Sequence, residues 1–302
     1  MLVAFGLVAL LVGGDLLVRG AVGVARRFGV SPLVIGLTLV GFGTSAPELV
    51  TSLSAALAGS PAIAIGNVVG SNIANILLIL GLAALIRPVS AQMAGLPREA
   101  VWVGGSAVGL AVLAGAGEIS VLAGVVLLAL LGVYLWGAFR SSTAGTDNLD
   151  VPIDPLPKAS IFLMLGLALT IGGAIALVDG ATGIARAYGV PEAVIGLTLV
   201  AIGTSLPELA TTVMAARRGQ SDVALGNILG SGIFNILGIL GTTALVAPLP
   251  IEDSLIPDIG VMLATTALLI ALLFWRRAIS RVSGVIFLLL YTGYMAWLSQ
   301  TF

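Results

Sequence analysis

Ten apolar runs follow one another along the chain, at roughly 1–25, 33–58, 62–86, 99–116, 119–138, 160–185, 192–216, 222–247, 256–275 and 281–299. Each is close to the length a helix needs to cross a bilayer. The one long polar connection runs from Arg140 to Lys158 and holds Asp147, Asp150, Asp154 and three prolines. It lacks the glycine and closing glutamate of an EF-hand loop and is too short for a domain, so it reads as a solvated tether. The pattern predicts an all-α integral membrane protein of ten transmembrane helices. These form a first five-helix unit at 1–139, a linker at 140–159 and a second five-helix unit at 160–302.

The two units repeat. A constant offset of 160 sets Gly29 on Gly189, Ile35–Val40 on Ile195–Val200, Thr44 on Thr204, Glu48 on Glu208 and Asn75 on Asn235, with no gap. Five spans is an odd number, so the second copy enters the membrane upside down, and inverted repeats place a site at their interface. Loop charge agrees with alternation. The odd-numbered connections carry Arg26, Arg27, Arg87, Arg98, Arg140, Lys158, Arg217, Arg218, Arg276, Arg277 and Arg281, while the even-numbered ones carry only Arg186. This predicts the odd connections in the cytoplasm, both termini outside, and a cell-membrane location.

Two polar devices interrupt the apolar pattern. The first, GFGTSAPELVTS at 41–52, puts Glu48 and Pro47 inside a membrane-length run, and it returns as AIGTSLPELATT at 201–212. An ionisable side chain at that depth is costly and marks function, and proline frees a carbonyl that needs a partner. A lone kinked glutamate can be structural, but recurrence at one offset argues for a working pair. The second device, GNVVGSNIAN at 66–75, returns as GNILGSGIFN at 226–235. Asn67, Ser71 and Asn75 fall on one helix face, as do Thr38, Gly41, Ser45, Glu48 and Ser52, with Thr44 beside them. Asn67 and Asn227 stay open between interhelical hydrogen bonding and ion contact.

Composition narrows the chemistry. The chain is 59% hydrophobic and 9% charged with a net charge of −1, which excludes an ordinary soluble domain and gives no basic patch for nucleic acid. Histidine and cysteine are both absent, which removes disulfides, His or Cys metal ligation, and Ser-His or Cys-His nucleophiles. The chain is read as a non-enzyme without a cofactor. Its oxygen donors suit the hard cations Na+ and Ca2+, and Mg2+ less well because it keeps its waters. The expected surroundings are those ions and the lipid bilayer, and no protein partner is implied. Nothing basic precedes the first apolar run, so that run is expected to be a span and not a secretory leader.

GTSAPEL and GTSLPEL, each followed by a GN-x-x-GS segment, resemble the two alpha repeats of the sodium/calcium exchangers of the cation/calcium antiporter superfamily, and the resemblance covers nearly the whole chain. It implies a ten-helix antiporter that exchanges Na+ for Ca2+ by sliding its first and sixth helices past a core. Carried over by position, Glu48 and Glu208 would be the central carboxylates. Thr44, Ser45, Ser71, Thr204, Ser205 and Ser231 would supply side-chain oxygens, and Gly41 and Ala201 would supply carbonyls, around Asn75 and Asn235. Some relatives have an aspartate where this chain has Asn235, so the chain departs from the family pattern at the position whose carboxylate would bear on sodium, potassium or proton coupling. The alternatives are an H+/Ca2+ or other cation/Ca2+ antiporter and a passive cation channel. Asp15 and Arg19 are spaced for an i, i+4 ion pair, Asp179 stays ambiguous, and Glu118, Glu252, Asp253 and Asp258 read as outer-side loop charges.

Overall fold

The computed structural model describes residues 1–91, 95–140, 155–189 and 201–300, and it is mostly helical. The linker aspartates Asp147 and Asp150, with Asp154, lie outside the described residues, as do the repeated Ile195–Val200 and the first residues of the seventh expected span. Only the backbone of Ala201 is described.

The chain opens with α1, Leu2–Phe28, which ends on Gly29 at φ 65° with Arg26 and Arg27 in its last turn. A left-handed residue is easiest for glycine, and the two arginines complement the carbonyl end of the helix. α2, Pro32–Thr44, starts on a Ser31 cap with Pro32 in its first turn, and it meets α3, Ala46–Leu57, at a bend of 44°. The break falls at Ser45, two residues before Pro47, which cannot donate to the preceding turn. α4 is Pro61–Ile86, α5 Leu96–Gly115, α6 Val121–Arg140 and α7 Leu156–Ala187. In the second half α8, Ala201–Thr204, and α9, Leu206–Arg217, break at Ser205, followed by α10, Ser221–Val246, α11, Ile256–Arg276, and α12, Arg281–Leu298.

Among the described residues seven helices are long and apolar enough to cross a membrane, or eight when bent α2 and α3 count as one span. α5, with Arg98 and Glu99 in its first turn, and the described α8 and α9 are outside that count. α10 is almost wholly enclosed by protein, whereas α12 is largely bare, with Leu289 and Val282 among its exposed apolar side chains. That contrast makes α10 the centre of the bundle and α12 its lipid-facing flank.

Among the described residues a helical irregularity recurs at the 160 offset. α4 widens into a π-turn at Asn75–Leu80 and α10 does so at Asn235–Leu240. Four two-residue strands, β1 Val89–Ser90, β2 Glu118–Ile119, β3 Leu249–Pro250 and β4 Ala278–Ile279, pair as β1 with β4 and β2 with β3. Each half therefore joins its own strand to the non-equivalent strand of the other, odd connection with odd and even with even. Arg281 donates to the carbonyl of Leu85, Ser90 N–H to Ser221, and Arg98 to the carbonyl of Gly137. The basic connections thus share one end of the molecule.

α1 and α7 pack through two heptads of glycine. A Cβ on Gly20 would sit 2.2 Å from Leu163 N and one on Gly166 2.3 Å from Leu17 N, while Gly6, Gly13, Gly173 and Gly180 leave similar gaps filled by facing backbone. Small residues at this spacing let two helices approach to backbone contact. The expected Asp15–Arg19 pair is present at 3.2 Å, and Asp15 also bonds Arg218 at the end of α9, tying α1 to the core.

Candidate cation site

The two breaks bring the repeated motifs face to face. Ser45 Oγ donates to Glu208 Oε1 at 2.9 Å, and Ser205 Oγ donates to Glu48 Oε1 at 3.0 Å. Each glutamate is thus held by the serine of the other repeat. Ser205 also lies 3.4 Å from Ser71 Oγ, Ser231 Oγ donates to the carbonyl of Gly41 at 3.2 Å, and Thr44 Oγ1 donates to Asn227 Oδ1 at 3.2 Å. Glu48 and Glu208 are 1% and 0% exposed, and among the described residues neither has an ion-pair partner. Two carboxylates enclosed with no cationic side chain against them carry a large electrostatic cost in a low dielectric.

Among the described residues, four side-chain oxygens of this region are buried with no hydrogen-bond partner: Glu48 Oε2, Glu208 Oε2, Asn75 Oδ1 and Asn235 Oδ1. Native interiors leave few such atoms, and here all four are acceptors, two from each half. Both asparagines open the π-turns of α4 and α10, and π-turns displace a residue out of the regular helical row. Thr204 is buried at the end of α8, one residue before Ser205, and Ala201 is the first described residue of that helix. The Gly41 carbonyl already accepts from Ser45 N–H, Thr44 Oγ1 and Ser231 Oγ, so it is the most heavily engaged of the expected donors.

The open reading of Asn67 and Asn227 resolves toward interhelical bonding. Asn67 Nδ2 donates to the carbonyl of Glu48 at 3.2 Å and to Ser52 Oγ at 2.9 Å, and Asn227 Nδ2 donates to the carbonyl of Glu208 at 3.4 Å and to Thr212 Oγ1 at 2.9 Å. These bonds fasten the glutamate-bearing turns to α4 and α10. Sequence reasoning missed Asn72, which bonds Asn235 and Gly232. Its one signal is that asparagine faces glycine at the matching place of the other repeat. It also missed Glu99, which is fully buried against Arg98 near the basic end. Of the carboxylates expected on the outer side, Asp258 accepts from Tyr294 Oη at 2.8 Å, while Glu118, Glu252 and Asp253 are exposed.

Ser205→Ala removes a bond to a buried carboxylate, an interaction worth about 1.5–3 kcal/mol. The expected result is a rise of about tenfold or more in the Ca2+ concentration for half-maximal exchange. Thr211→Ala, whose hydroxyl among the described residues bonds only the carbonyl of Pro207 in its own helix, is the matched control and should stay within about twofold. Equal effects of the two, in vesicle uptake assays, would separate Ser205 from ion binding.

The profile of the family described as sodium/calcium exchanger protein matches residues 1–140 and 158–300, on either side of the polar connection. The putative antiporter CaxA of Alkalimonas amylolytica is 40% identical, over 97% of this chain and 96% of that protein. The sodium/calcium exchanger MaX1 of Methanosarcina acetivorans is 35% identical over 98% of this chain and 97% of its own length. Among solved structures, the sodium-calcium exchanger NCX_Mj superimposes with a TM-score of 0.88 at 36% identity, covering 98% of this chain and 97% of that one. Matches of this extent span both halves, including the two glutamates and the helices that carry them, and the chain belongs to the sodium/calcium exchanger family.

Proposed function

We propose that this protein is a secondary antiporter that exchanges Na+ for Ca2+ across a cell membrane by alternating access. The four unpartnered oxygens of Glu48, Glu208, Asn75 and Asn235, enclosed between the halves, carry this reading. With Ser45 and Ser205 holding one oxygen of each glutamate, the second oxygens are the ones left for an ion. Ser71, Ser231, Thr44 and Thr204 complete an all-oxygen surround of the kind hard cations take. One Ca2+ balances the two carboxylates, and so do two Na+. A third Na+ makes the loaded site positive and the exchange electrogenic.

The same reading sets ten spans as two inverted five-helix units, 1–139 and 160–302, with the 140–159 connection and the basic end in the cytoplasm. The shared end of the odd connections and the crossed pairing of β1 with β4 and β2 with β3 support it. α1 and α7, joined by their glycine faces, would move as one body past the core. A test of sidedness needs single cysteines in a chain that has none. One at Thr146 is expected to be labelled only from the cytoplasmic side, and one at Glu252 only from outside. Labelling of both from the same side would rule out the inverted arrangement.

Transport itself is tested by Ca2+ uptake into vesicles holding the purified protein, with Na+, K+ and H+ gradients imposed separately. An outward Na+ gradient is expected to drive uptake, and the other two are not. Uptake that follows only a proton gradient would point to H+/Ca2+ exchange, and uptake without any countergradient would point to a channel.

A further inference from the structure

Asn72 is a polar side chain of one repeat that the other lacks: at the 160 offset, between the matched pairs Ser71/Ser231 and Asn75/Asn235, the other half has Gly232. Asn72 is 5% exposed, and its Nδ2 donates to the carbonyl of Gly232 at 3.3 Å while its Oδ1 accepts from Asn235 Nδ2 at 3.0 Å. A backbone carbonyl can only accept, so the Asn72 amide has to turn its NH2 to Gly232 and its oxygen to Asn235. Asn235 must then spend its own NH2 on Asn72, which leaves Asn235 Oδ1 buried and, among the described residues, unpartnered. Polarity is passed along the chain of three groups from a donor-acceptor choice that the backbone has already made.

The opposite arm has no such device. Gly232 brings no side chain to Asn75, and among the described residues no hydrogen bond fixes the Asn75 carboxamide, although its Oδ1 is equally buried. A cavity of about 10 Å³, lined by Asn72, Asn75, Gly232 and Thr266 among others, lies there instead, space for one water at most.

We propose that Asn72 is a positioning residue for transport. It locks Asn235 with its oxygen, and not its NH2, toward the transported cation, so that the Asn235 arm is set in advance while the Asn75 arm is free to turn as the ion arrives. This rests on the antiporter reading above. Without Asn72 the Asn235 amide is free to present NH2 hydrogens to the site, and each binding event has to select the correct orientation.

The test is a double-mutant cycle read as the Ca2+ concentration for half-maximal uptake in vesicles, using Asn72→Leu, which keeps the branched outline without the polar atoms, and Asn235→Ala. Asn72→Leu alone is expected to raise that concentration about tenfold, and in the Asn235→Ala background to change it by less than about twofold. Asn72→Asp separates positioning from packing: its carboxylate still accepts from Asn235 Nδ2, so it is expected not to weaken Ca2+ binding, although it cannot donate to Gly232. Multiplicative effects of the two substitutions, or equal weakening by Asn72→Leu and Asn72→Asp, would overturn the proposal. If Asn72→Leu does not fold, Asn72→Ala takes its place in the same cycle: loss of its effect in the Asn235→Ala background supports the proposal, and multiplicative effects overturn it. Failure of the native protein to exchange at all would instead count against the antiporter reading.

Discussion

Replacing either central glutamate by glutamine, Glu48→Gln or Glu208→Gln, is expected to abolish Na+-driven Ca2+ uptake while leaving a folded, monodisperse protein. The substitution keeps shape and removes one of the two formal charges that a divalent ion meets in an enclosed site. Taking away one partner of a buried charge interaction costs about 3–5 kcal/mol, which corresponds to a loss of roughly a hundredfold or more in affinity. The fold should tolerate the change, because an uncompensated buried carboxylate is itself unfavourable and a neutral amide relieves part of that deficit. Ser205 and Ser45 can still donate to the amide oxygen of glutamine, so the contact between the repeats survives. Uptake and equilibrium Ca2+ binding by each purified variant check this, and native-like affinity in either would remove that glutamate from the site.

The second large effect is structural and falls on Gly230. A Cβ there would lie 2.2 Å from the carbonyl oxygen of Leu37 and 2.6 Å from its Cα, backbone that cannot step aside without moving α2 from α10. Overpacking costs roughly 1–3 kcal/mol in ordinary cores, and Gly230→Leu, which meets main chain, should reach or exceed the top of that range. The expected result is a protein that fails to accumulate in the membrane or melts well below the native chain. Gly232→Ala, two residues along the same helix, is the control. Its Cβ would meet only Val103 Cγ2 at 3.5 Å, an ordinary contact, and its melting temperature should be close to native. Similar behaviour of the two would show that α2 and α10 are not pressed together at Leu37.

The repetition at one offset makes the core of the candidate site readable from the sequence. Glu48, Glu208, Ser45 and Ser205 stand out because a proline and a carboxylate in a membrane-length run conflict with local chemistry, and a conflict repeated is a constraint. Their pairing across the repeats, Ser45 with Glu208 and Ser205 with Glu48, follows from the inversion. The role of Asn72 was hidden because a single sequence shows it as one more polar residue on α4. Only the placement of Gly232 O and Asn235 Nδ2 reveals its direction. The π-turns at Asn75 and Asn235 were equally silent, since Asn-Ile-Leu fits a regular helix as well as a widened one. Asp15 was legible as a partner of Arg19, four residues on, but its bond to Arg218 links residues far apart in sequence that only folding brings together.

The central claim is that the oxygens between the halves form one site for which Ca2+ and Na+ compete. Equilibrium binding of radioactive Ca2+ to the purified native protein in Na+-free buffer measures this directly. The account predicts one Ca2+ per chain, displaced by Na+ with a steeper than first-order dependence and lost in Glu48→Gln and Glu208→Gln. Ca2+ binding that Na+ does not displace, or that both glutamine variants retain, would contradict it.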